Sequence, residues 1–348
     1  MSRRTVLLLP GQGAQRERMA AGLYEAVPEF AAPMDSFLAA LGPEGARLRE
    51  EWLRPAPNPS LDDALVSQPL LFGVGYALGR CVTALSGHAP DVLLGHSVGE
   101  LAAAALAGVF SPEDAAEVMA ARRTALAGRT GGGMLAVGAA VADVEPLLTP
   151  GAAVAAVNGP RQTVLAGPSD ALARTSERLA AAGMVVRALR SGHAFHSPSL
   201  AGAAETYARA LSHVPLRAPE GALLSTRTAR WLRAEEATDP AFWAGQLALP
   251  VLYWPALRAL LDGTPDGTPD GPGTGLVLLD ASADRSLTAP ARRHPSVRSG
   301  ASVVVPLLAG PAGGDDPGTL GEALDVLASH RVRTSPHVRT RAAQATAS

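Results

Sequence analysis

The sequence contains no lysine, no isoleucine and a single cysteine, Cys81. All thirty basic side chains are therefore arginine. That points to a GC-rich coding bias rather than to a function, and it weakens any case built on arginine abundance. One cysteine excludes an internal disulfide framework and fits a reducing compartment, so a cytoplasmic protein is expected. The thiol itself reads as a small buried apolar group. An excess of either charge is also missing: 30 arginines against 32 acids leave a formal net charge of -2. This gives no case for nucleic acid or for an acidic membrane surface as a partner. Long hydrophobic runs are absent, and no stretch approaches the ~20 apolar residues of a membrane span. The start, MSRRTVLLLPGQGAQ, only faintly imitates a signal peptide. Its apolar run is about five residues, shorter than an h-region, and it ends in Pro-Gly. It reads as a first strand.

What is present is enough chain for a sizeable core: 348 residues, 47% hydrophobic and 18% charged, in one large domain or two unequal ones. Thr5–Gly13 reads as a buried strand and a glycine turn. Ser67–Leu85 has helical spacing behind a Ser-Gln-Pro start, Val92–Leu94 reads as a strand and Val98–Ala107 as a helix. Ser111–Asp114 (SPED) predicts a capped helix start, with Pro at the first position and acids in the first turn. From about Gly131 to Leu189 the pattern is β-α-β-β-α-β, the ferredoxin-like order, inserted in a longer alternating α/β chain. It includes a helix capped at SDALARTSERLAAAG. The segment 262–275, DGTPDGTPDGPGTG, reads as a mobile surface loop. A late helix is expected near Leu320–Ser329, and disorder beyond Arg331.

Gly95-x-Ser97-x-Gly99 between a strand and a helix is the pattern of a nucleophile elbow. The glycines permit a sharp turn that exposes the serine Oγ at a helix N-terminus, and the N–H of Val98 is free to face an oxyanion. A plain glycine turn is the competing reading. Of the eight histidines, His88, His213, His294, His330 and His337 lie in apparent surface turns or tail, and His96 shapes the elbow. His193 and His196, in SGHAFHSPS, stand where the inserted unit returns to the larger one. On spacing alone either can be the base.

Pieces in a fixed order then resemble one family: PGQGAQ (Pro10–Gln15), SQPLLF (Ser67–Phe72), GHSVGE (Gly95–Glu100), GGGMLAV (Gly131–Val137), AAVNGPRQTVLAG (Ala155–Gly167), HAFHSP (His193–Pro198) and ATDPAFWAGQLALPV (Ala237–Val251). The chain resembles the malonyl-CoA–acyl-carrier-protein transacylases, and most of all the free-standing acyltransferases of polyketide synthases. The resemblance implies an α/β fold: an α/β-hydrolase-like large subdomain (1–130 and 194–310), an inserted ferredoxin-like small subdomain (131–193) and a partly disordered tail (311–348). It implies Ser97 as nucleophile, His196 as base and acid, and the N–H groups of Gln12 and Val98 as oxyanion hole. The carbonyl of Gln246 would orient the imidazole. Arg122 would grip the free carboxylate of a malonyl group, with Gln68 lining the pocket or simply bonding at a helix start. Phe195, in HAFH, and Val98 resemble malonyl-selective types.

Two departures stand out. The family has glycine where Arg123 stands, and Gly-Pro-Gly where Asp280-Ala281-Ser282 stands. The implied reaction is ping-pong transfer from malonyl-CoA to the phosphopantetheine thiol of a carrier protein, in trans and without metal or redox cofactor. An editing hydrolase or a non-catalytic docking protein of the same fold are the alternatives.

Overall fold

The computed structural model of the chain describes residues 3–129, 131–264, 275–310 and 313–332. Most of the DGTPDG repeat, His337 and the tail beyond 332 lie outside these residues. The strands within them are β1 (Arg4–Leu9), β2 (Val92–Gly95), β3 (Gly132–Val137), β4 (Ala153–Gly159), β5 (Gln162–Pro168), β6 (Val186–Leu189), β7 (Leu224–Ser225), β8 (Arg230–Trp231), β9 (Leu276–Asp280) and β10 (Val303–Pro306).

The larger sheet has the order β10-β9-β1-β2 and is parallel throughout. A parallel sheet covered on both faces reads as continuous apolar runs rather than as alternation, and TVLLL, VLL and LVLL are such runs. Alternate residues serve two cores. Leu7, Leu9, Leu93, Val277 and Leu279 pack with the Ala64–Ser86 and Val98–Leu106 helices. Val6, Leu8, Val92, Leu94 and Leu278 pack with the Tyr253–Asp262 helix on the other face.

The smaller sheet has the order β4-β5-β3-β6 and is antiparallel. With the Ser169–Ala181 helix and the short Val141–Val144 helix it forms the ferredoxin-like unit. Reciprocal bonds from Val157 N–H to the Val251 carbonyl and from Val251 N–H to the Ala155 carbonyl, both 2.9 Å, tie its β4 to the larger subdomain. The molecule is therefore a mixed α/β protein with a large and a small subdomain.

Several boundaries differ from the sequence reading for local reasons. The Ala64–Ser86 helix starts a turn before Ser67 because the Asp63 side chain accepts from Leu65 N–H, and Pro69 is carried inside it. It is also the one described helix long and apolar enough to cross a membrane, but most of it is buried in the protein core. The Ser169–Ala181 helix has no side-chain cap, whereas Ser111 and Asp114 do form the expected reciprocal capping box. The late helix runs over Asp316–Val332. The helices Ala21–Ala26, Pro28–Ala40 and Pro43–Leu53 have no counterpart in the sequence reading.

Candidate active site

Strand β2 ends at Gly95 and the next helix begins at Val98, so Ser97 occupies the turn between them. Its φ of 54° and ψ of -120° lie in a region that non-glycine residues rarely adopt, and such strain collects at functional sites. The flanking glycines are required by contact. A Cβ at Gly95 would stand 2.3 Å from the Gly99 carbonyl, and one at Gly99 would stand 2.3 Å from the Leu9 carbonyl. The turn is braced from beneath by Thr226, whose hydroxyl oxygen lies 2.8 Å from the Gly95 carbonyl oxygen and 2.6 Å from the buried Glu100 carboxyl group, its one proton serving either contact. Ser225 donates to the same carboxylate at 2.5 Å. Burial raises the Glu100 pKa, and these hydroxyls act against that rise.

His196 reaches the serine from the segment that follows the small subdomain. Its Nε2 lies 2.8 Å from Ser97 Oγ, with both side chains buried. Its backbone has φ 61° and is held by a 2.8 Å bond from its N–H to the Leu247 carbonyl. The ring Nδ1 is 3.1 Å from the Leu249 carbonyl. A carbonyl only accepts, so Nδ1 carries the proton and Nε2 is left bare to accept from Ser97. The family resemblance assigns the orienting role to Gln246. The Leu249 carbonyl makes the 3.1 Å hydrogen bond, and the Gln246 carbonyl also acts on the ring, more weakly. The 3-10 turn Gly245–Leu247 and the bend that follows turn the Leu249 carbonyl towards the ring. Burial, then the neighbouring His96 and Arg122, pull the His196 pKa down to about 3. The imidazole is accordingly neutral at neutral pH. His193 lies outside this pair and stacks on Phe195 at 5.1 Å.

The loop after β1 presses on the elbow. A Cβ at Gly11 would stand 2.6 Å from the His96 carbonyl and 3.2 Å from Ser97 Cβ, so only glycine lets the Gln12 backbone come this close. Among the described residues neither the Gln12 nor the Val98 N–H has an intramolecular acceptor. His96 itself reaches across to the small subdomain, with Nε2 2.8 Å from Asn158 Oδ1 on β4. Sequence reasoning had no signal for Asn158 beyond its place in AAVNGPRQTVLAG.

Arg122 is 1% exposed on the Pro112–Leu126 helix. Its Nε donates to Gln68 Oε1 at 2.7 Å, and Gln68 Nε2 donates to Gln12 Oε1 at 2.9 Å. Among the described residues neither terminal nitrogen of its buried guanidinium has a hydrogen bond of normal geometry, and the equally buried Tyr207 hydroxyl is the polar group that stands beside them. The guanidinium sits 5.9 Å from the centre of the Tyr207 ring, and burial lowers its pKa. An unpaired buried cationic fork is costly unless an anion joins it. Arg123 does not crowd this point, because it turns to Glu44 at 3.1 Å.

The site opens into a cleft of about 940 Å³ lined by both subdomains, with Gln12, Gln68, Ser97, Phe195 and His196 in its wall. Arg122 lies one side chain deeper, behind Gln68. Asp280, Ala281 and Ser282 are not in that wall. The buried Asp280 carboxylate is enclosed by hydroxyls of Ser282 (2.5 Å) and Thr288 (2.6 Å), so this departure forms a closed polar cluster. Among the described residues, no group of three or more His, Cys, Asp or Glu side chains could hold a metal ion.

The acyl transferase domain model matches residues 6–268. Among curated proteins, the chain is 35% identical over 295 residues to a phenolphthiocerol/phthiocerol polyketide synthase of Mycobacterium tuberculosis. That match covers 84% of this chain and 19% of the relative, so the chain spans about a fifth of the relative's length. Among solved structures, it is similar to the acyl transferase domain of SpnD in complex with 2-(pent-4-yn-1-yl)malonyl. The TM-score is 0.83 and the identity 31%, covering 96% of this chain and 78% of the other. The malonyl CoA-acyl carrier protein transacylase of Coxiella burnetii shares the fold at a TM-score of 0.79 and 22% identity, over 95% of this chain and 98% of the other.

Proposed function

Because this chain belongs to the acyl transferase domain family, we propose that its reaction is the transfer of a malonyl group from malonyl-CoA to the phosphopantetheine thiol of an acyl carrier protein. The observation that carries the malonyl part is Arg122. Among the described residues its two buried terminal nitrogens, behind the pocket wall, have no hydrogen-bond acceptor. A carboxylate accepts from such a fork with two parallel bonds.

In this reading Ser97 Oγ gives its proton to His196 Nε2 as it attacks the thioester carbon. The Val98 and Gln12 N–H groups receive the oxyanion, where preorganised donors contribute most. When the C–S bond breaks, the His196 proton passes to the departing CoA sulfur. The carrier thiol then loses its proton to the same nitrogen and attacks the malonyl ester. On collapse, Ser97 recovers the proton. Buried Phe195 in the cleft wall fits a pocket for an acyl unit without an α-branch.

The test is intact-mass measurement after mixing with malonyl-CoA, followed by addition of a holo carrier protein. A malonyl adduct that persists until the carrier is added is expected. An adduct that decays in water alone indicates an editing hydrolase, and no adduct indicates a docking protein.

A further inference from the structure

Strand β6 is an edge strand that lines the cleft. Among the described residues it pairs only with β3, in the register Arg187 to Ala136, Ala188 to Leu135 and Leu189 to Met134. Gly138 N–H donates to the Val185 carbonyl at 2.9 Å, which fixes the phase of the ladder. Val185, Arg187 and Leu189 form the hydrogen-bonded pairs, so the backbone N–H and C=O of Ala188 face away from β3. Neither group has a partner among the described residues. The residues from Arg187 to Ser191 all line the same cleft as Ser97. Successive side chains of a strand point to opposite faces, so a cavity touching every residue in turn runs along the strand edge.

That edge is flanked by charge suited to phosphate. Arg187 has no ion pair among the described residues, and Arg190 has only Asp62 at 3.5 Å, with the Arg190 side chain 87% exposed. An exposed pair of this kind contributes little and yields readily to a stronger anion.

We infer that the free edge of β6 is a binding strip for the phosphopantetheine arm shared by the acyl donor and the acceptor. The arm is a flexible chain with two amides and a terminal phosphate. Ala188 N–H donates to an amide carbonyl of the arm and the Ala188 carbonyl accepts from an amide N–H, as an added strand does at a sheet edge. Arg187 and Arg190 hold the phosphate. The inference rests on the transferase reading, which requires each thioester to reach Ser97 through this cleft.

The test compares three donors with shortening arms: malonyl-CoA, malonyl-pantetheine and malonyl-N-acetylcysteamine. For the double variant R187A/R190A, the malonyl-CoA to malonyl-pantetheine ratio of kcat/KM should fall about tenfold, from charge-assisted bonds at an exposed site. Discharge to a holo carrier protein should slow similarly. Ala188→Pro removes one free N–H at a position where an edge strand tolerates proline. It should lower the malonyl-pantetheine to malonyl-N-acetylcysteamine ratio. Ratios within one variant cancel general damage to folding. Unchanged ratios in both variants, in a wild-type protein that does load malonyl, overturn the strip. Loss in loading without loss in discharge also overturns it, because the contact is then to the nucleotide part of CoA. A wild-type protein that never loads malonyl defeats the transferase reading itself.

Discussion

Ser97 Oγ and His196 Nε2 stand 2.8 Å apart although 99 positions separate them in the chain. One sits at the tip of a parallel strand and the other at the return from an inserted subdomain. The pair needs no third side chain, because the Leu249 carbonyl fixes the ring. Ser97→Ala should fold and yet take up no labelled malonyl from malonyl-CoA. His196→Ala should lose about 10²–10⁴ in loading rate, the usual contribution of a positioned base, and His193→Ala should lose far less. Single-turnover loading measures all three, and a reversed ranking of the histidines removes the assignment.

The pH dependence follows from the depressed His196 pKa of about 3. The acidic limb of kcat/KM reports the free enzyme, so it should fall well below the range of an ordinary histidine. Arg122 is one cause of the depression, so Arg122→Ala should move that limb upwards. Stability has a related sign. Between pH about 6.5 and about 3 the unfolded chain binds the proton and the folded one does not. The contribution is thus present at neutral pH and lost as pH falls through that window. Chemical denaturation at a series of pH values, comparing wild type with His196→Gln, isolates it.

Arg122→Ala should depress malonyl-CoA turnover by about ten- to a hundredfold, from the loss of charged hydrogen bonds of roughly 1.5–3 kcal/mol. The malonyl to acetyl ratio of kcat/KM should collapse, since acetyl has no carboxylate. Arg122→Lys should recover part of it. Arg123→Ala breaks only the pair with Glu44 and should leave the ratio where it was. A ratio that follows Arg123 instead would move the anchor to that residue.

Gln68 joins the Arg122 guanidinium to the Gln12 side chain at 2.7 and 2.9 Å. Gln68→Ala removes both partners and leaves buried polar groups unsatisfied, at a cost of about 1–3 kcal/mol. KM for malonyl-CoA should rise through the freed Arg122, and kcat should fall through a loosened Gln12 loop. If only thermal stability changes, Gln68 is no more than a helix-start residue.

Gly99→Ala should be among the most damaging single changes. Its Cβ would lie 2.3 Å from the Leu9 carbonyl and 2.6 Å from that of Pro10. Forcing the helix off the strand tips should cost about 1–3 kcal/mol, as overpacking does, and displace Ser97. Thermal melting together with loading of the surviving folded fraction separates the two effects.

Local chemistry wrote much of this protein directly into its sequence. The apolar runs of β1, β2 and β9 declare a parallel sheet buried on both faces. The glycines around Ser97 declare a turn too tight for side chains, and Ser111-Pro112-Glu113-Asp114 declares its own helix start. The β-α-β-β-α-β order of strand and helix patterns from about Gly131 to Leu189 declares the inserted unit. These features depend on residues close in sequence, so they can be read along it. Three things could not be. The carbonyls that hold His196, that of Leu249 with that of Gln246 beside it, could not be singled out, because every residue carries the same carbonyl and only a turn decides which ones point at the ring. Arg122 and Arg123 are alike in type and adjacent, and only packing sends one to Gln68 and the other to Glu44. The free edge of β6 depends on strand order, since an edge exists only once the neighbouring strands have taken their places.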